Sequence, residues 1–193
     1  MDERCPTNPD RELVDAVLRG APGAFERLVR DYQGLCWHII YRMVRHPEDA
    51  RELCQETFLR VHQCLHQYRH ESALKSWIGQ VAYSIALRHL QRKRIPLAEP
   101  AMDDGPAPLE NLGDDFDLEQ AFGDAQVARR LHSAIDALPP VQRAVLTLYH
   151  LEEASIPEIA AITGMATGTI KSHLFRARLR LRAALEGRLG VAV

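Results

Sequence analysis

The sequence predicts an all-α protein: two small helical domains, the first of four helices and the second built on a helix-turn-helix, joined by a flexible acidic linker. Three observations support this. Apolar residues recur three and four apart along most of the chain, and no run of alternating β-branched residues points to a sheet. Charge is unevenly divided: residues 1–95 carry fifteen Lys and Arg against twelve Asp and Glu, residues 96–126 none against nine, and residues 127–193 nine against five. Two mildly basic segments, at +3 and +4, therefore flank one at −9 in a chain whose total is only −2. The middle segment also holds four prolines and three glycines, a composition that buries too little apolar surface to offset its ordering entropy. The expected boundaries are 8–95 for the first domain, 96–126 for the linker and 127–189 for the second.

Composition narrows the function classes. A chain of 193 residues, 46% hydrophobic and 26% charged, can bury two small cores. The charged start "MDERCPTNPDRE" is followed by no apolar run, so no secretory signal is expected, and no stretch approaches membrane-spanning length. Four scattered cysteines, Cys5, Cys36, Cys54 and Cys64, are too few for a disulfide framework. These features together favour a cytoplasmic protein without membrane insertion.

In the first domain, helix starts are signalled by Asn8-Pro9, by Pro22 and by His46-Pro47-Glu48-Asp49, with proline at or near the first helical position and acids in the first turn. Breaks at Gly20, around His46, near His70 and before Pro96 give four helices over roughly 9–19, 22–45, 47–67 and 73–94. In the third, Cys54, Phe58, Val61 and Leu65 share one apolar stripe, while Glu52, Gln55, Glu56 and Leu59 occupy another face. Glu52 and Glu56 are like charges one turn apart, and Glu48 and Asp49 add to the negative field. That face reads either as an ordinary solvated surface or as a docking patch for a basic partner.

The fourth helix has Leu74, Ile78, Val81, Ala82 and Ile85 on its core side. Trp77 sits at the margin, Tyr83 projects almost opposite, and the end is basic, with Arg88, Arg92, Lys93 and Arg94. Cations in a last turn suit the helix dipole, and aromatics beside a basic tail suit stacking on exposed bases. Either ring could equally pack against neighbouring helices.

The second domain shows three successive apolar patterns: Val141, Val145 and Leu148; Ile156, Ile159, Ala160 and Ile162; then Ile170, Leu174, Leu181 and Leu185. Between the last two lies "TGMATGT", with Gly164 placed to end one helix and Thr167 to cap the next, which makes a helix-turn-helix. In "TIKSHLFRARLRLRAAL" arginine occurs at every second position, yet on a helix Arg176 and Arg180 form one stripe, Arg178 and Arg182 another, and Ile170, Ala177, Leu181 and Leu185 lie between them. Thr169, Lys171, Ser172, Phe175 and Arg176 fall where a recognition helix meets base edges, with Arg178, Arg180 and Arg182 directed to phosphate or solvent.

The stretches "EDARELCQETFLRVHQCLHQY", "SALKSWIGQVAYSIALRHLQRKR" and "LPPVQRAVLTLYHLEEASIPEIAAITGMATGTIKSHLFRARLRLRAAL", in that order and spacing, resemble the extracytoplasmic-function (ECF) branch of the bacterial sigma factors. The resemblance covers nearly everything except the linker. It implies a protein that is not an enzyme and needs no cofactor or metal, but binds core RNA polymerase and directs it to selected promoter DNA. It implies that Glu52, Gln55 and Glu56 meet the clamp helices of the largest subunit, that the second domain meets the flap, and that an anti-sigma factor holds the protein inactive. Trp77, Tyr83, Ser84, Arg88 and Arg92 would open and read the minus-10 element, and Thr169, Lys171, Ser172, Phe175, Arg176 and Arg178 the minus-35 element.

Two departures from the family pattern stand out: Ser84 where many relatives carry Asn, and "YRHESAL" in place of an aromatic-Arg-Gly-Asp run. A shorter hydroxyl offers a different donor pattern, so base preference does not carry over directly. Two other readings remain open on the sequence. The second domain alone resembles the output domain of LuxR-type regulators, which bind as dimers without polymerase. The segment "HQCLHQYRH", with His62, Cys64, His66 and His70, could serve a metal or redox sensor, although Cys64 projects from a different side than the two histidines one turn apart.

Overall fold

The computed structural model describes residues 9–97 and 125–186, with side chains placed for 9–97 and 129–184. The bulk of the expected linker, like the two termini, lies outside the described residues. Every regular element described is helical, in keeping with the expected class. The chain divides into two compact units, one built on residues up to His89 together with Ala161–Gly164, the other on the remainder.

The first unit comprises α1 (Pro9–Leu18), α2 (Ala24–Val44), α3 (Pro47–Cys64) with a 3-10 turn at Leu65–Gln67, and α4 (Leu74–Arg92). The second helix begins two residues later than the proline signal implies. Gly23 takes a left-handed conformation at φ 75°, which glycine alone adopts without strain, and Ala24 is the first helical residue. Pro47 opens α3 as expected, and the preceding His46 accepts a hydrogen bond at Nδ1 from the Asp49 amide at 3.3 Å. Helices α2 and α3 form the main packing pair, burying Leu28, Ile39, Ile40 and Met43 against Leu53, Phe58 and Val61. Truncating a core residue such as Ile39 to alanine should cost about 2–5 kcal/mol. Thr57, buried in this layer, satisfies its hydroxyl by donating to the Leu53 carbonyl at 2.7 Å.

Helix α1 is tied to α2 by the Tyr32 hydroxyl, which donates to Asp10 at 3.0 Å. Burial first, and then the Asp10 carboxylate, push the Tyr32 phenol well above its ordinary pKa, so the proton stays in this bond.

Helix α4 corrects one expectation. Leu74, Ile78, Ala82 and Ile85 are buried as anticipated, but Tyr83 is buried too, at 4% exposure, together with Ser76, Gly79 and Leu90. Ser76, Tyr83 and Leu90 are seven residues apart in turn, so they form a second buried stripe. With apolar residues on more than one side, the helix has no single wet face from which to infer that Tyr83 points outward.

The second unit comprises α5 (Ala125–Ala137), α6 (Pro140–His150), α7 (Ile156–Thr163) and α8 (Thr167–Glu186). Helix α5, which the apolar patterns above do not include, begins at Ala125, inside the span expected for the linker. Its C-terminal end is closed by Arg143 of α6, almost fully buried, whose guanidinium donates to the Asp136 carbonyl at 2.9 Å and to the Leu138 carbonyl. A buried cation is tolerable here because carbonyls orphaned by the helix end accept its protons.

Helix α7 starts with a reciprocal capping box. Glu158 accepts from the Ser155 amide at 2.8 Å and from its hydroxyl at 2.6 Å, while the Ser155 oxygen faces the Glu158 amide at 3.4 Å. The turn to α8 passes through Gly164 at φ 73°, as its position in the sequence suggests. Thr167, however, is the first residue inside α8 rather than its cap, since the Ala166 carbonyl accepts the Ile170 amide at 3.1 Å. Helix α8 packs on both α5 and α6 through Ile170, Leu174, Ala177 and Leu181.

Candidate nucleic-acid and polymerase interfaces

Helix α3 buries Leu53, Thr57, Phe58 and Val61 on one side, so its other side is presented to solvent. Glu52, Gln55 and Glu56 are all exposed there, and Leu59, 65% exposed, adjoins them. An exposed leucine beside two unneutralised acids is a surface of mixed chemistry, apolar at one end and negative along its length. The wider negative field expected from Glu48 and Asp49 is reduced. Glu48 pairs with Arg51 at 2.6 Å, and Asp49 faces the His46 ring at 3.6 Å. His89 Nε2 lies 3.4 Å from the other Asp49 oxygen, but out of line for a hydrogen bond.

On α4, Trp77, Ser84, Arg88 and Arg92 fall within about 80° of one another around the axis, whereas Tyr83 lies about 120° from Trp77. Ser84, Arg88 and Arg92 are exposed and Trp77 is half-buried, so four of the five candidates share one accessible face. Tyr83 does not join them; burial raises its phenol pKa and suits it to supporting the helix from within. Trp77 is held by Tyr68, whose ring centroid lies 5.4 Å away at 44°.

On α8 the candidates differ in freedom. Thr169 is exposed, while Lys171, Ser172, Phe175, Arg176 and Arg178 are half-buried. The Ser172 hydroxyl donates back to the Gly168 carbonyl at 3.0 Å, which leaves its oxygen as an acceptor. Arg178 is committed to α6: its guanidinium lies 5.4 Å from the Tyr149 ring centroid and 3.4 Å from His150 Nε2. Arg180 donates to Gln142 at 3.2 Å. Neither is the solvent- or phosphate-directed cation that its place in the alternating pattern suggests, because a second helix lies within reach of a long side chain. His173, between these positions, is kept neutral by burial and by the neighbouring Arg176 charge, both of which lower its pKa.

Comparison with known proteins decides what these faces belong to. A family model described as Sigma-70 region 2 matches residues 28–95, and one described as Sigma-70, region 4 matches residues 128–181. The RNA polymerase sigma-H factor of Pseudomonas aeruginosa is 30% identical over 184 residues, spanning 92% of this chain and 94% of its own. The ECF RNA polymerase sigma-E factor of Haemophilus influenzae is 32% identical over 177 residues, spanning 88% and 91%. The chain belongs to the ECF RNA polymerase sigma factors.

As a sigma factor it directs transcription initiation by RNA polymerase and is not itself an enzyme. The fold is shared with CnrH, solved in complex with the cytosolic domain of CnrY, at a TM-score of 0.63 and 21% identity over 93% of this chain and 99% of that one. The LuxR-type alternative accounts for the second unit but not for a region 2 match over residues 28–95. Among the described residues no three His, Cys, Asp or Glu side chains are gathered as a metal would require. The histidines of the third-helix segment have separate partners: His62 meets the edge of Phe25 at 4.9 Å, His66 meets Gln67 at 3.3 Å, and His70 packs on Tyr68 at 4.6 Å. No described helix is long and apolar enough to cross a membrane.

Sequence reasoning passes over two features of the sigma factor's surface. Tyr68 and His70, in the loop before α4, make a ring cluster with Trp77. The signal is the aromatic residue of "YRHESAL", which stands out in the sequence as a departure from the family run and not as a contact. Trp37 and Tyr41, one turn apart on α2, also stack at 5.3 Å with nearly parallel rings.

Proposed function

We propose that the two units divide promoter selection between them. Glu52, Gln55 and Glu56, with Leu59, dock on the clamp helices of the polymerase's largest subunit, and the second unit lies against the flap. Thr169, Lys171, Ser172, Phe175 and Arg176 meet the minus-35 duplex, with Arg178 bracing the helix and lending charge to the phosphates. Trp77, Ser84, Arg88 and Arg92 meet the minus-10 strand as it separates, and Tyr83 supports that face from inside. Anchoring by the second unit displaces counterions and so weakens as salt rises. Trapping an unstacked base on Trp77 offsets the few kcal/mol that extrusion costs.

The observation that carries this reading is the two-sidedness of α3: a buried stripe on one side, and on the other three exposed polar residues with a 65% exposed leucine beside them. An exposed large apolar side chain next to acids is a cost to a solitary protein and a contact in an assembled one. Work on the polymerase places the protein in the cytoplasm. A solved relative in fold, RpoE of Bartonella quintana, is bound to the anti-sigma factor NepR, and restraint by a partner of that kind suits the present chain as well.

Reconstitution with core polymerase tests the scheme. The double variant Glu52→Lys/Glu56→Lys should lose co-elution with core polymerase while its thermal midpoint and minus-35 duplex binding stay unchanged, since surface charges usually alter stability by less than about 0.5 kcal/mol. Undiminished co-elution would exclude α3 as the docking face.

A further inference from the structure

The loop between α3 and α4 is organised around one side chain. The Tyr68 amide donates to the Leu65 carbonyl at 3.0 Å, and the Tyr68 hydroxyl donates to the Ser72 carbonyl at 2.5 Å, so Tyr68 ties together both ends of the loop. Burial first, and the Asp10 carboxylate second, raise its phenol pKa, which keeps the hydroxyl a donor. The 3-10 turn before it rests on α1. Its ring in turn carries two others: Trp77 at 5.4 Å and 44° on one side, and His70 at 4.6 Å and 59° on the other.

His70 is the unusual member. Its backbone is left-handed, at φ 57°, a region that a residue with a Cβ enters at a cost and glycine enters freely. It occupies the Gly position of the aromatic-Arg-Gly-Asp run that the family pattern leads one to expect, so this chain has placed a ring where the backbone itself favours none. The imidazole is exposed rather than packed into the core, and its main heavy contact is the Tyr68 ring. Strain of this kind persists where the surroundings over-determine it, and Tyr68 is the surrounding here.

We propose that His70 is a specificity-determining residue for the separated promoter strand: with Tyr68 and Trp77 it forms a three-ring edge, against which an unpaired base stacks while the imidazole nitrogens offer it a donor and an acceptor. Tyr68 is a positioning residue that holds both outer rings at the spacing an unstacked base meets. This rests on the assignment of Trp77 to the minus-10 strand. Glycine at this position would give the loop its shape without either the stacking surface or the polar pattern, so a chain bearing histidine should discriminate among bases where a glycine chain does not.

The test uses the full chain with core polymerase on forked promoter templates that carry each of the four bases at every unpaired minus-10 position. His70→Gly should leave the thermal midpoint unchanged or raise it, because the strain is relieved. It should nevertheless flatten base preference at one position by at least threefold, with other positions and minus-35 duplex binding unaffected. Tyr68→Leu should lower open-complex yield on every template. Should His70→Gly fail to fold, His70→Asn, which tolerates left-handed backbone and has no ring, is read for the same loss of preference. Identical preference profiles for the parent and the folded variant, in a parent that forms open complexes, overturn the proposal. A parent that forms none with core polymerase overturns the underlying assignment as well, so the two failures are told apart by the parent alone.

Discussion

On α4, Arg88, Arg92, Lys93 and Arg94 are exposed at the end of the helix, whereas on α8 Arg176, Arg178 and Arg180 are half-buried and the last two reach onto α6. In the sequence both groups are short basic runs of similar density. The difference lies in what surrounds each helix: α8 packs on α5 and α6, so a guanidinium leaving its flank finds an aromatic ring or an amide oxygen before it finds solvent. The number of cations on a helix thus caps the number of phosphates it can hold, and the cap lies closer to the truth for α4 than for α8.

The largest expected effect comes from the exposed group. Replacing Arg88 and Arg92 together by alanine should weaken open-complex formation by about 3 kcal/mol, roughly 100-fold, if each makes one charge-assisted bond worth about 1.5 kcal/mol. The slope of log affinity against log salt should fall by about 1.4, at about 0.7 for each single-strand phosphate left unneutralised. The thermal midpoint should not move, because neither side chain is part of a core. A drop in midpoint with no change in slope would erase the contrast between the helices.

A smaller effect separates two neighbours on α8. Arg176→Ala should cost about 1–3 kcal/mol in discrimination at one minus-35 base pair, read from binding to single-substitution duplexes. Arg178→Ala should instead cost about 0.5–1 kcal/mol of stability, the worth of a partly exposed cation over an aromatic ring, which in a domain of this size lowers the midpoint by a few degrees. If the two variants show the same pair of effects, the engagement of Arg178 with Tyr149 and His150 does not decide its role.

How far the sequence discloses these features depends on whether the deciding partner is local. Helix limits, the left-handed Gly164 and the exposed Glu52 face follow from residues within a turn or two of one another, and all are readable. The Ser155–Glu158 capping box is equally readable, as Ser-x-x-Glu before an apolar run, though it sits at the margin of the apolar pattern. Tyr83, Arg143, Arg178 and Arg180 are not readable in the same way. Their surroundings are set by groups on other helices or by a second buried stripe, and a helical wheel assigns direction without saying what lies there. The ring cluster is intermediate: Tyr68 and His70 are near neighbours, but the left-handed turn at His70 that brings its ring back onto Tyr68 contradicts the preference of the residue itself.

The finest probe of the packed helix is protonation of His173. Its Nδ1 is buried with no hydrogen-bond partner among the described residues, and its pKa lies below the ordinary 6.5, chiefly through burial and secondarily through Arg176. The folded imidazole therefore takes up a proton only at lower pH than the unfolded one. As pH falls through about 6.5 the unfolded state binds more protons, and stability declines until the folded group is protonated as well. Carboxylates titrate in a neighbouring range, so the informative quantity is the difference between the parent and His173→Gln, which removes the titration and keeps a polar side chain. Between about pH 7.5 and 5.5, a window that brackets the ordinary imidazole value, the midpoint of the parent should fall further than that of the variant. Parallel curves would mean that the imidazole reaches water in the folded protein, and that α8 at this position is as open as the end of α4.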